Sequence, residues 1–165
     1  MEEIKKMPTN LFTSIEEAKT WLKTNSKTGC ICPCCNRLVK IYKRKLNSGM
    51  AQELIDLYCL SYNDLETKYH HHTKFAKLSG GELSKLTHWG LVCEKPNTIE
   101  DKRTSGFWGI TKKGIQFVEN KISIEKYIFL LDAELIAHSK EHTNIIESLG
   151  SKFNYNELME GYSNE

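Results

Sequence analysis

The chain has 165 residues, 39% of them hydrophobic and 27% charged, and carries a formal net charge of +2. That length supports one well-buried core, alone or with small appendages. No apolar run approaches the roughly 18 residues of a membrane-spanning helix, and Met1-Glu2-Glu3-Ile4-Lys5-Lys6 lacks the apolar segment of a secretory signal. A cytoplasmic protein in a host cell with no membrane partner is expected, and there six cysteines stay reduced or bind metal. The charge is uneven: from Glu125 onward eight acidic residues face three lysines, a net of −5, which leaves +7 on residues 1–124. The basic part suits phosphates and the acidic tail does not. Ordinary variation in surface charge is the plainer account.

In chain order, Ser14-Ile15-Glu16-Glu17 has the S-x-x-E spacing of a capping box, which satisfies free N–H groups at a helix start. Ala18, Trp21 and Leu22 continue at helical spacing, so a short helix over 14–25 is predicted. A loop over 25–29 then leads into Cys30-Ile31-Cys32-Pro33-Cys34-Cys35-Asn36. Two thiolates two residues apart on a tight turn can reach one tetrahedral ion, and proline helps preset that turn. Asn36, small and polar, leaves backbone N–H groups free to bond the sulfurs. Such a knuckle is half of a structural zinc site, and no second C-x-x-C exists. Among His88, Cys59, Cys93, Cys30 and the triple histidine, the triplet is favoured, which makes Cys32, Cys35, His70 and His72 the expected ligands of a structural Zn2+. The plainer reading treats the cysteines as small hydrophobes. A redox pair ranks lower, because the thioredoxin-like pattern around C-x-x-C is absent.

Leu38, Ile41 and Tyr42 lie in a strand-like run dense in cations, with Arg37, Lys40, Lys43, Arg44 and Lys45. Asn47 or Ser48 can cap the next helix, whose Met50, Leu54 and Leu57 fall on one face with Ala51 and Ile55 alongside. Residues 64–75 are polar and hold His70-His71-His72. Ser79-Gly80-Gly81-Glu82 is a second capping box, Leu83 and Leu86 form an apolar stripe, and Gly90 falls at the C-cap. Leu91-Val92-Cys93 and Phe107-Trp108-Gly109-Ile110 read as strands around a polar segment. Thr111 can then cap a helix over 112–121, with Ile115 and Val118 on one face. Further on, 127–131 and 135–138 read as a hairpin, followed by short helices over 143–149 and 154–159.

The expected fold is therefore α+β: a winged helix-turn-helix core over 47–124, an N-terminal helix and cysteine segment over 1–46, and an acidic C-terminal hairpin with helices over 125–165. On a helix over 80–89, Leu83 and Leu86 face inward and leave Ser84, Lys85, Thr87 and His88 outward. These side chains can meet phosphates or base edges without spelling a unique code. Lys102 and Arg103 at the wing tip, beside Glu100 and Asp101, and the run Lys43, Arg44 and Lys45 are further candidate DNA contacts. For each of these a solvated surface is the plainer reading. Trp89, Phe107 and Trp108 are assigned to packing rather than to base stacking.

Several blocks also carry a likeness. Cys32-Pro33-Cys34-Cys35, Lys43-Arg44-Lys45-Leu46-Asn47-Ser48, Lys85-Leu86-Thr87-His88-Trp89-Gly90-Leu91, Gly106-Phe107-Trp108-Gly109-Ile110-Thr111-Lys112-Lys113-Gly114 and Phe153-Asn154-Tyr155-Asn156-Glu157-Leu158-Met159 resemble a group of small phage proteins. The resemblance runs over most of 29–161 and keeps the order of the blocks. The W-G-L and I-T-x-x-G blocks are also similar to winged-helix regulators of the MarR and PadR kind, where they form the end of the recognition helix and the step from wing to helix. The resemblance implies a phage or prophage origin and a winged helix with a cysteine knuckle, and no particular activity. His70 to His72 and the acidic last third depart from the usual regulator.

Two function classes follow. The first is a phage or prophage DNA-binding protein, a transcriptional regulator or accessory factor that binds double-stranded DNA with the helix over 80–89 in the major groove. The alternative is a phage-encoded inhibitor that binds a host protein, an enzyme or a defence system, on a winged-helix scaffold. An enzyme is not expected: there is no G-x-S-x-G, phosphate-binding glycine loop, H-E-x-x-H or convincing carboxylate pair. Homodimerisation through the C-terminal hairpin is a further expectation, drawn from the habits of winged-helix proteins.

Overall fold

The computed structural model describes residues 4–7, 14–64, 68–75, 82–98 and 104–160. The capping box at Ser79 and the wing-tip residues Lys102 and Arg103 lie outside them. In chain order the elements begin with β1 (Lys5–Lys6), α1 (Ile15–Asn25), β2 (Cys30–Ile31), β3 (Leu38–Val39), β4 (Tyr42–Lys45) and α2 (Ser48–Asn63). Next come β5 (His70–His71), a 3₁₀ turn (His72–Lys74), α3 (Glu82–Lys85), a second 3₁₀ turn (Leu86–Trp89), β6 (Val92–Glu94) and β7 (Phe107–Ile110). The remainder are α4 (Lys112–Val118), β8 (Ile124–Glu125), β9 (Tyr127–Leu131), β10 (Glu134–His138), β11 (His142–Thr143), α5 (Ile145–Leu149) and α6 (Tyr155–Glu160). The fold is mixed α+β with small sheets.

The chain divides into two compact units, 1–44 with 128–138, and 45–127 with 139–165. In the first, Ser14 caps α1 as its spacing requires: its hydroxyl accepts from the Glu17 N–H at 3.2 Å, and the Glu17 carboxylate accepts from the Ser14 N–H at 2.7 Å. β2 lies between β1, which it meets in parallel, and β3, which it meets antiparallel. A second sheet has the order β10-β9-β4. The β9–β10 turn holds Asp132 at φ 50° and Ala133 at φ 65°, the paired left-handed conformation of a two-residue hairpin.

The second unit is organised around α2. Asn47 caps it by accepting from the Met50 N–H at 2.9 Å, and Met50, Ala51, Leu54, Ile55 and Leu57 are all buried. Against α2 pack α3, α4, α5, α6, β5 and β7. The sheet beside it is antiparallel with β7 between β5 and β6, so the first strand of the unit joins the outer side of the later hairpin.

The boundaries differ from the sequence reading in a connected way. The segment over 125–165 does not stay together: its hairpin joins the first unit through β9 and β4, while Ile145 and Leu149 of α5 are buried in the second. Strand pairing and helix docking are long-range, and local patterning does not carry them. α4 stops at Val118, with Asn120 turning at φ 57° just beyond, and Thr143, the first residue assigned to a helix over 143–149, lies in β11 because Asn144 is the N-cap.

The join between sheet and α4 is tight. Thr111 Oγ1 donates to the Gly90 carbonyl at 2.7 Å and accepts from the Gly114 N–H at 3.0 Å. A Cβ on Gly114 would lie 2.2 Å from the Leu91 carbonyl oxygen and 2.8 Å from Ile110 Cγ1. Because one neighbour is backbone, the strain cannot be relieved by a side-chain rotation. Gly114→Ala is expected to cost about 2 kcal/mol or more, against about 1 kcal/mol for loss of the α2 cap in Asn47→Ala. Urea unfolding midpoints of the two variants measure that order.

Candidate functional site

The face expected to meet DNA is built by α3 and the 3₁₀ turn after it. Leu83, Leu86 and Trp89 are buried, and the Trp89 Nε1–H donates to the Glu125 carbonyl at 2.7 Å, which anchors the inner side. Gly90, at φ 70°, ends the element with its N–H on the Leu86 and Thr87 carbonyls. Ser84 and Thr87 are exposed and His88 is half-buried. Lys85 is half-buried and bonded to Glu82, whose other carboxylate oxygen accepts from Asn47 Nδ2 at 3.3 Å. Over 82–89 the expected single α-helix is a short α-turn that tightens into a 3₁₀ turn, with Ser84 exposed, Thr87 Oγ1 donating to the Ser84 carbonyl at 2.6 Å and Lys85 bonded to Glu82.

The strands β6 and β7 form the hairpin beyond. Ser105 N–H donates to Glu94 Oε1 at 2.7 Å and Lys95 N–H to the Phe107 carbonyl at 2.9 Å. β5 closes the other side, and its pairing decides where the histidines go. His70, opposite Trp108, is buried, whereas His71 turns its ring edge-on to Phe107 at 5.0 Å and bonds Thr73 Oγ1 at 2.8 Å. The His72 N–H donates to the Gly106 carbonyl at 3.0 Å. Lys43, Arg44 and Lys45 are exposed on β4, the outer strand of its sheet, with Arg44 over the Tyr42 ring at 5.6 Å.

Cys32 and Cys35 belong to the first unit, and His70 and His72 to the second. Among the described residues no group of three or more His, Cys, Asp or Glu side chains is placed to hold a metal ion. The first unit builds the turn that carries Cys32 and Cys35. The turn between β2 and β3 is closed by the Asn36 N–H on the Cys32 carbonyl at 2.9 Å and the Cys32 N–H on the Arg37 carbonyl at 2.8 Å. Asn36 takes φ 58°, a conformation that suits its short polar side chain. Hydrogen bonds from the Cys34 and Cys35 N–H groups hold the Cys32 thiol below its usual range, while burial pushes Cys30 up. Beside this turn, Cys32 and Cys35 line a cleft of about 510 Å³ together with Lys19, Lys23, Arg37 and Lys40.

A cluster that the sequence reading missed lies inside the second unit. Glu53 and Asp56 on α2 are 3% and 1% exposed. Burial first, then the carboxylates of Glu82 and Asp56, push Glu53 up to about 7, with a backbone hydrogen bond from Leu83 acting the other way. Its Oε2 has no hydrogen-bond partner among the described residues, and neither has either ring nitrogen of His70. Local pattern gave no signal for it: Gln52, Glu53 and Asp56 lie together on the side of α2 away from the arc of Met50, Ala51, Leu54, Ile55 and Leu57, where an amphipathic helix would meet solvent.

Compared with protein-family models, with curated proteins and with solved structures, the chain matches none of them. No helix of the described residues is long and apolar enough to cross a membrane.

Glu53 ties proton binding to the seating of α3. Its carboxyl holds a proton to about pH 7 in the folded protein but only to about 4.5 once exposed. Its contribution therefore favours the fold fully below 4.5 and is lost as pH rises to 7. Glu53→Gln is expected to flatten the stability profile over that window and to be more stable than wild type at pH 8, by up to about 3 kcal/mol. Urea unfolding of both proteins across pH 4 to 8 tests this; parallel profiles would count against it.

Proposed function

We propose that the second unit is a winged-helix module and that it binds duplex DNA through α3 and the hairpin of β6 and β7. The carrying observation is the connectivity: α2, β5, a helical turn, α3, then β6 and β7, with strand order β5-β7-β6. That is the order in which a winged helix assembles, its first strand closing on the later hairpin. The division of α3 supports the same reading. Leu83, Leu86 and Trp89 are buried while Ser84 and Thr87 are exposed; Thr87 Oγ1 gives its proton to the Ser84 carbonyl at 2.6 Å and keeps its oxygen as an acceptor for a base-edge donor. The role of regulator or accessory factor in a phage or prophage rests on the sequence resemblance.

One observation favours the second reading, a protein partner. The second unit holds fourteen Lys and Arg against fifteen Asp and Glu, a net of −1, while the first holds nine against six, a net of +3. Lys85, on the presumptive reading face, is already paired with Glu82. A near-neutral module gains little from counterion release and so depends more on direct contacts.

A salt-series anisotropy titration on a mixed-sequence duplex separates the two. The DNA reading expects micromolar or tighter binding at about 50 mM salt, falling steeply as salt rises. Lys85→Glu should weaken it about tenfold. No binding at about 50 mM salt would discard DNA as the target and leave the protein partner.

A further inference from the structure

The first unit carries an arrangement of charge and ring that the duplex reading does not use. Lys19 and Lys23, one helical turn apart on α1, line the cleft of about 510 Å³ together with Arg37 and Lys40 from either side of β3. These four cations are exposed, and the carboxylate lining the cleft with them is Asp132; Lys19 also bonds Glu16 at 3.0 Å. Leu38 and Tyr42 line the same cleft, and each is 46% exposed. The Arg44 guanidinium, 5.6 Å from the Tyr42 ring centroid, adds a further cation at the ring.

The segment that borders this cleft also borders another. Lys40 and Tyr42 line the first, whereas Ile41 and Lys43 line a second, of about 440 Å³, with Lys27, Phe129 and Ile136. Cations spread over two neighbouring clefts suit a polyanion better than one small anion. A duplex keeps its base faces stacked inside and would leave the Tyr42 ring without a partner. A single strand offers phosphates and unstacked base faces together, and a half-exposed tyrosine set among lysines and arginines meets both.

We propose that the first unit binds single-stranded nucleic acid at this cleft, with Lys19, Lys23, Arg37 and Lys40 on phosphates and a base stacked on Tyr42. Lys27 and Lys43 serve further phosphates of the same strand at the second cleft. Every base has a π-face, so stacking on Tyr42 reads no sequence. Cys32 and Cys35 also line the first cleft, and binding asks no chemistry of them. Both clefts are lined wholly by residues of 1–44 and 128–138 and share none with α3 or the β6–β7 hairpin, so single-strand and duplex binding stand or fall separately.

The test is fluorescence anisotropy of the full-length protein with labelled oligo(dT) of about 15 nucleotides, a length that spans one such site. Micromolar or tighter binding at about 50 mM salt is expected, weakening as salt rises. Tyr42→Ala, at an exposed position, should lower affinity about tenfold with the salt slope unchanged, and Tyr42→Phe, which keeps the ring, should bind as wild type does. Lys23→Ala with Lys40→Ala, also exposed, should instead shallow the slope by about 1.4, the share of two phosphates on a single strand. Lys85→Glu, in the second unit, should leave oligo(dT) affinity unchanged, which separates this site from the duplex one. Urea midpoints of the variants confirm that each is folded. No binding at about 50 mM salt, full affinity in Tyr42→Ala, displacement by polyglutamate as effective as by unlabelled oligo(dT) at matched charge, or loss of binding in Lys85→Glu would each overturn the proposal.

Discussion

The second unit depends on burying a helix on nearly every side, its polar side included. α2 places Met50, Ala51, Leu54, Ile55 and Leu57 out of water, and its neighbours Glu53, Asp56 and Cys59 are buried with them. A helix of this kind must be wrapped on several faces at once, and α3, α4, α5, α6, β5 and β7 do the wrapping. The same wrapping holds distant parts of the chain in register. Tyr58 on α2 donates to Glu119 Oε1 at 3.1 Å just past α4, and Tyr155 of α6 donates to the Val118 carbonyl at 2.8 Å. Buried carboxylates are the cost of the arrangement, since an ionised group in that interior loses its hydration.

That constraint reaches the proposed reading surface. α3 is only one α-helical turn long, and with the 3₁₀ turn after it is held by Leu83 and Leu86 from within, by Trp89 on the Glu125 carbonyl, and by Glu82 bridging to Asn47 at the head of α2. Its exposed hydroxyls are therefore presented by an element whose position follows from α2. Glu82 faces two ways, bonded to Asn47 and Lys85 on one side and raising the Glu53 proton affinity on the other. The face that would touch a partner and the most perturbed buried carboxyl of the unit thus share a residue.

The first unit works on another principle. Its sheets are short, its α1 has one buried residue, Ala18, and Cys32 to Cys35 sit on a tight turn between two strands. There the backbone does the positioning: Asn36 in the left-handed region closes the reversal, and peptide N–H groups converge on the Cys32 sulfur. Charge is segregated with chemistry, the net +3 of this unit gathering in part around the thiols while the near-neutral second unit carries the buried acids.

Sequence alone settled what depends on neighbours a few residues apart. The Ser14 capping box, the Thr111 cap, an α2 cap at Asn47 or Ser48, the Gly90 stop, the hairpin turning just after Leu131 and the outward position of Ser84 and Thr87 are all local, because capping, turn and helical-face geometry are set within one or two turns of chain. Tertiary structure decided everything that needs long-range pairing. It sent the 128–138 hairpin to the first unit and α5 to the second, buried Glu53 and Asp56, spent His71 and His72 on contacts around Phe107 and Gly106, and set a cationic cleft beside Cys32 and Cys35. Those outcomes turn on which surfaces meet, and no window of sequence contains both partners.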